Sequence, residues 1–342
     1  MKPVPQLFQG LNDVDLYTAR RRFRERALAP GERVIAAGEP AEGVVIVVEG
    51  RLEVVRDGVV IGSAGPNDLV GETGLFDTGF RGADVVAAEP SHILELDRAG
   101  YEELRDTVHP AAAELERRTL INQVGRLRAV GDRIAELSDG RVRTPVPPSE
   151  RFFGAVSAMF GPGGSFSSRP IDALITLRQS PAFADAPDEA LAGIAPYLHA
   201  TAYGPGALLC TEGQPGDTMF LIHEGQVEVI VAVEGDRVQA LATLGPGAAF
   251  GMVALAEGGV RMCSCLAKDQ VVAQSLDRTG YTALMNDGTW AGTIFRRGLI
   301  SMLLQQLAAA NAQLAQFQEK RSTDLGPLRR ATIAREVVEG PT

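Results

Sequence analysis

Short apolar runs broken by glycine turns set the pattern of this chain. Val44-Val45-Ile46-Val47-Val48 is one such run, and the segments Arg51–Arg56 and Val59–Ser63 flank Asp57-Gly58, a pair that marks a two-residue hairpin. Many short strands at close, regular spacing predict a β-sandwich or jelly roll. Elsewhere the period lengthens. Asp13–Phe23 and Pro187–Leu198 predict helices leading into the β-rich stretches, with Pro187 suited to a first helical position. After the strands, Leu120, Leu127, Val130, Ile134 and Leu137 predict one long helix. Ile300, Leu303, Leu307, Ala310, Leu314 and Phe317 predict another with a heptad-like stripe. That stripe suits either a homodimer seam over residues 296–318 or a helix packed back on its own roll.

The whole pattern occurs twice. Phe8, Asp13 and Leu16 recur as Phe183, Asp188 and Leu191, Pro30-Gly31 as Pro205-Gly206, and Glu49-Gly50 as Glu224-Gly225, all at an offset of 175. Beyond them the offset is 180: Gly71 answers to Gly251, Arg81 to Arg261, and Leu96-Asp97-Arg98 to Leu276-Asp277-Arg278. Five extra residues therefore enter the second copy, and the hairpin tip around Val233–Arg237 is where a loop tolerates them. Glycines matched under a constant gap identify a tandem duplication.

Between the copies, Pro145, Pro147, Pro148 and Gly161-Pro162-Gly163-Gly164-Ser165 read as a flexible linker. Phe152, Phe153, Met159, Phe160 and Phe166 are out of place in a solvated linker, so they predict docking on a neighbouring roll or on a partner. Arg126, Arg128, Arg133, Arg141 and Arg143 read as a solvated helix face, and the tail from Lys320 as disordered.

Composition narrows the class. With 342 residues, 45% hydrophobic and 22% charged, the chain suits two globular domains, and its net charge of −10 argues against a surface that coats nucleic acid. No secretory signal or transmembrane run is visible, which predicts a cytoplasmic protein without membrane attachment. Cys210, Cys263 and Cys265 lack metal-ligand spacing and read as small buried hydrophobes of a reducing compartment.

Candidate chemistry concentrates in Leu69–Ala83. Gly71 and Gly74 let the backbone approach a ligand, and N–H groups opening a short helix favour negative charge. Arg81 offers a permanent cation with a planar donor fork, suited to phosphate. Glu72, an acceptor when ionised, would repel phosphate but suits a hydroxyl. A site holding both implies a ligand anionic at one end and hydroxylated at the other; alternatively the two side chains pair with each other.

The stretch resembles the phosphate-binding cassette of cyclic nucleotide-binding domains, through Gly71, Glu72, Gly74, Leu75, Arg81 and Ala83; Val70 departs from the family's Phe. The resemblance implies a tandem of β-rolls (jelly-roll-like, mainly β), each flanked by helices. Its divisions are 7–138, a linker 139–176, 177–318 and a tail 319–342. It implies that Arg81 and nearby N–H groups, Thr73 among them, hold the cyclic phosphate of cAMP or cGMP, while Glu72 takes the ribose 2′-hydroxyl. In the family a Thr or Ser after the arginine favours guanine; Gly82 supplies no hydroxyl and so leans towards cAMP.

The second copy keeps Phe250, Gly251, Ala254, Leu255 and Arg261, but Met252 replaces the ribose-binding Glu, and Met262 and Cys263 crowd the position of a small residue. Losing that carboxylate removes a charge-assisted hydrogen bond of about 1.5–3 kcal/mol. The second site is therefore expected to be degenerate or tuned to another ligand.

Nothing in the sequence looks catalytic: His92, His109, His199 and His223 are scattered, no cupin-type metal motif appears, and P-loop, kinase and nucleophile-elbow motifs are missing. Too few residues follow the last helix for a helix-turn-helix, which lowers a DNA-binding regulator. The expected function is a non-enzymatic, metal-free receptor whose trailing helix shifts on nucleotide binding and signals to a protein partner. The competing expectation is a degenerate fold serving as a scaffold in a larger assembly.

Overall fold

The structure, a computed structural model, describes residues 5–139, 165–167, 171–233 and 237–324. The first copy runs α1 (Asp13–Arg20), β1 (Arg24–Leu28), β2 (Arg33–Ile35), β3 (Gly43–Glu49), β4 (Leu52–Arg56), β5 (Val59–Ala64), β6 (Leu69–Val70), β7 (Asp84–Ala87), β8 (Ser91–Asp97), α2 (Arg98–Asp106) and α3 (Pro110–Asp139). β9 (Ser165–Ser167) and α4 (Ala173–Gln179) follow. The second copy runs α5 (Asp188–Ile194), β10 (His199–Tyr203), β11 (Leu208–Cys210), β12 (Thr218–Glu224), β13 (Val227–Val233), β14 (Arg237–Leu244), β15 (Ala249–Phe250), α6 (Met252–Glu257), β16 (Ser264–Ala267), β17 (Val271–Asp277), α7 (Arg278–Asn286) and α8 (Trp290–Asp324).

Each copy is a roll of two antiparallel sheets with one topology. The first has sheet orders β1-β8-β3-β6 and β2-β7-β4-β5; the second has β10-β17-β12-β15 and β11-β16-β13-β14, with β9 added at the β10 edge. The apolar run in β3 is continuous because both faces of that strand are buried. Val44 and Ile46 pack with Phe8, Phe23, Leu96 and Tyr101 on the helix side, while Val45 and Val47 pack with Leu52, Val85 and Ile93 between the sheets. Asp57 and Gly58 both take positive φ (52° and 79°), the two-residue hairpin geometry that joins β4 to β5.

Several expectations change in detail. The five-residue insertion lengthens a ladder as well as a loop: Ala232 pairs with Val238 and Val233 with Arg237, while 234–236 lie outside the described residues. Pro187 is the N-cap of α5, one position before the first turn. Residues 319–324, assigned to the tail, continue α8. Of the heptad-like stripe, Ile300 and Leu303 are buried within the chain. Most of the 139–176 linker, with Phe152, Phe153, Met159 and Phe160, lies outside the described residues, as do Arg141, Arg143 and the tail after Asp324. Phe166 falls in β9, paired with Ala202.

The chain divides into two compact units: Met1–Asn122 with Asp185–Pro196 and Tyr281–Ser301, and Gln123–Ala184 with Tyr197–Gly280 and Met302–Thr342. The first unit therefore contains the first roll together with helical pieces of both copies, joined by a buried polar cluster. Arg296 Nε donates to Glu116 Oε2 at 2.7 Å, both side chains fully buried, and Tyr101 Oη donates to Glu116 Oε1 at 2.9 Å. Arg296 also donates to Asp287 O at 2.8 Å and Met285 O at 3.3 Å. Burial pushes the Glu116 carboxyl up from its ordinary range, while Arg296 and Tyr101 pull it back; burial also pushes Tyr101 well up. Glu116 and Arg296 are 180 positions apart, so they are the same position in the two copies. Between α2 and α3 the chain turns through Val108, a β-branched residue at φ 51°, and His109 Nδ1 then accepts from Ala111 N.

Candidate functional site

In the first roll the ladder delivers the cassette. β6 pairs with β3, Val70 opposite Val45, and the chain then enters Gly71 at φ 74° before a 3₁₀ turn over Glu72–Leu75. Arg81 arrives from the far side of the loop and is pinned by its backbone: Arg81 N donates to Glu39 O at 2.8 Å, and Gly38 N to Arg81 O at 2.8 Å. Its guanidinium crosses back to the cassette, Nη1 donating to Gly71 O at 2.7 Å and Nη2 to Gly43 O at 2.8 Å. A Cβ on Gly71 would lie 2.5 Å from Arg81 Nη1, and one on Gly74 2.9 Å from it. Both glycines therefore make room for the arginine, and Gly71 also supplies the left-handed conformation.

Glu72 is fully buried within this group. Arg81 is half-buried, and its pKa is lowered chiefly by that desolvation; Glu72 is the leading charge that opposes the shift. Thr73 and Ala83 are half-buried, Gly82 is exposed, and Leu75 belongs to the helix-side core. Arg56, on β4, donates Nε to Gly82 O at 3.0 Å. Nothing in the local sequence marks Arg56, because its place beside the loop depends on the register of β4 against β7.

The second cassette repeats the frame. Gly251 stands at φ 83°, a Cβ there would lie 2.6 Å from Arg261 Nη1, and Arg261 Nη1 donates to Gly251 O at 2.9 Å. Arg261 N donates to Gln214 O and Gly213 N to Arg261 O, matching the first roll bond for bond. Small residues are exchanged between facing positions. Gly74 faces Ala41 in the first roll, whereas in the second Ala254 faces Gly216, where an added Cβ would sit 2.2 Å from the Ala254 Cβ. The 3₁₀ turn becomes the helix α6, and Met252, at the Glu72 position, is buried.

Within the second unit a cavity of about 700 Å³ opens beside this cassette, reached by Phe250, Gly251, Met252, Val253, Ala254, Arg261, Met262 and Cys263. Leu255 packs away from it, fully buried. The later turns of α3 contribute Leu127, Gly131 and Ile134 to the wall; α8 contributes Ala310 and Gln306, whose Nε2 donates to Ala249 O at 2.8 Å. Arg128, read from sequence as solvated, instead pairs with Glu257.

The three cysteines also meet in this wall. Cys210 and Cys265 face each other across β11 and β16, and Cys263 lines the cavity beside them. The bond from Cys265 and the nearby Arg261 lower the Cys210 thiol, while Cys265, hydrogen-bonded and buried, is pushed well up. Spacing along the chain gave no sign of this grouping, which arises from strand pairing.

A repeated Leu-Asp-Arg triplet ties each cassette to the helix after its roll. Asp97 caps α2 by accepting from Gly100 N at 2.7 Å, and Arg98 Nη2 donates to Ala41 O and Asp77 O. In the second copy Asp277 accepts from Gly280 N, and Arg278 donates to Leu255 O at 3.0 Å and Gly216 O at 3.1 Å. The triplet was visible as a repeat, and its role follows from where the helix starts. Among the described residues no group of three metal-ligating side chains comes together, and no helix is long and apolar enough to cross a membrane.

Comparison with known proteins agrees with this duplicated frame. The cyclic nucleotide-binding domain family matches twice, over residues 25–107 and 200–287. The chain is similar to a cAMP-dependent protein kinase regulatory subunit of Yarrowia lipolytica, 24% identical over 279 residues, which are 82% of this chain and 58% of that protein. It is also similar to a cGMP-dependent protein kinase of Caenorhabditis briggsae, 24% identical over 80% of this chain and 29% of the kinase. The chain thus spans between about a third and three fifths of these relatives. The solved regulatory domain of Toxoplasma gondii PKA with cAMP is 19% identical, with coverage of 82% of this chain and 88% of that one and a TM-score of 0.32. With both matched segments carrying the same sheet topology and the same glycine–arginine frame, the chain belongs to the cyclic nucleotide-binding domain family and carries two such domains in tandem.

Proposed function

We propose that the chain is a non-enzymatic cyclic-nucleotide receptor that binds cAMP, with cGMP second, in the first roll. The observation that carries this reading is the convergence of Arg81, Gly71, Gly74 and buried Glu72 on one site. Two of Arg81's N–H donors bond to carbonyls, and the guanidinium fork carries five, enough to take a cyclic phosphate as well. Glu72 accepts the ribose hydroxyl. Gly82, without a side chain, gives guanine no hydroxyl to contact.

Binding reaches α2 through Arg98, which holds the carbonyls of Ala41 and Asp77 on either side of the cassette. A phosphate that repositions the cassette repositions this tether, and the helix offers a changed surface to a protein partner in the cytoplasm. Met252 supports a scaffold reading for the second roll alone. Calorimetric titration of the full chain with cAMP tests the proposal: one equivalent per chain is expected, lost in Arg81→Ala and kept in Arg261→Ala. No heat with either cAMP or cGMP at millimolar concentration would overturn it.

A further inference from the structure

We propose that the second roll holds an amphipathic monoanion, an apolar body with one carboxylate-type head, rather than a cyclic nucleotide. The cavity has the volume of a small-molecule site, about 700 Å³. Its wall is largely apolar, with Val231, Leu241, Phe250, Met252 and Met262 among its members.

Arg261 is the one cation among the described residues lining it and is 5% exposed. A buried guanidinium is strongly favoured by an anionic partner, and its fork fits a carboxylate. Asp132 and Glu212 also reach the wall, so its carboxylates outnumber its one cation, and the lining suits no more than a single negative charge, carried by a head that bonds to Arg261. Where the first roll presents Glu72, the second presents the thioether of Met252, which offers a ribose hydroxyl only a weak acceptor and favours apolar contact. Met262 and Cys263 add soft, apolar groups to the lining.

The inference rests on the second cassette alone and stands or falls independently of cAMP binding by the first. The probes are decanoate and decanol, titrated calorimetrically into the full chain. Decanoate should bind one equivalent per chain, at least tenfold more tightly than decanol. Arg261→Gln should weaken it at least tenfold and Arg81→Ala by less than twofold. Because a buried-arginine variant can misfold, the wild-type chain supplies a second readout. Cys210 and Cys263 line the same cavity, so saturating decanoate should slow their alkylation by iodoacetamide, read peptide by peptide in a mass spectrometer. Equal binding of decanol, unaltered alkylation at saturation, or two equivalents of cAMP per wild-type chain would each overturn the proposal.

Discussion

The two cassettes share a backbone and differ in chemistry. Gly71 and Gly251 take the same left-handed turn, and Arg81 and Arg261 make the same bond to the carbonyl of that glycine. Packing volume is conserved by exchange, Gly74 with Ala41 against Ala254 with Gly216. Charge is not conserved: Glu72 has become Met252. Steric constraints inside a close-packed turn act on every copy of the fold, whereas the polar side chains of a site answer only to the ligand. The helices teach a related lesson. Glu116 and Arg296 are equivalent positions that face each other, and opposite charges there let two copies of one helix pair where like charges would repel.

The strongest way to break this comparison is at the helices. Glu116→Leu leaves Arg296 buried without its carboxylate and should cost about 3–5 kcal/mol in urea unfolding. Adding Arg296→Met should recover part of that loss; a double variant less stable than the single one would show that the two positions do not act as a pair. Next in size, Arg81→Ala should weaken cAMP at least about a hundredfold by calorimetry, since it removes a charge-assisted fork. The matching Arg261→Ala should leave that affinity unchanged.

Copying the second roll's residue into the first sharpens the contrast. Glu72→Met should reduce cAMP affinity by about ten- to a hundredfold, the loss of one hydrogen bond to a charged acceptor. It should reduce the affinity for 2′-deoxy-cAMP far less, and an equal loss for both nucleotides would remove Glu72 from the ribose. The smallest effect belongs to the tether: Arg98→Gln should change cAMP affinity less than about threefold. Hydrogen exchange in α2 should then respond less to nucleotide than in the wild type, and an unchanged response would place the coupling elsewhere.

Local pattern carried much of this protein. The duplication, the Asp57-Gly58 hairpin, the β-rolls and the glycine–arginine frame are legible in the sequence because turns and strands depend on neighbours a few residues away. A glycine that must take positive φ, such as Gly71, announces itself wherever the family pattern is spaced correctly. Tertiary structure alone decided the rest. Cys210 meets Cys265 through strand pairing, Arg128 finds Glu257 across the second unit, and Glu116 finds Arg296 across 180 positions of chain. Each of these contacts is made by residues far apart in sequence, and which partners meet is set by how helices and sheets pack, a property that periodicity along one segment does not encode.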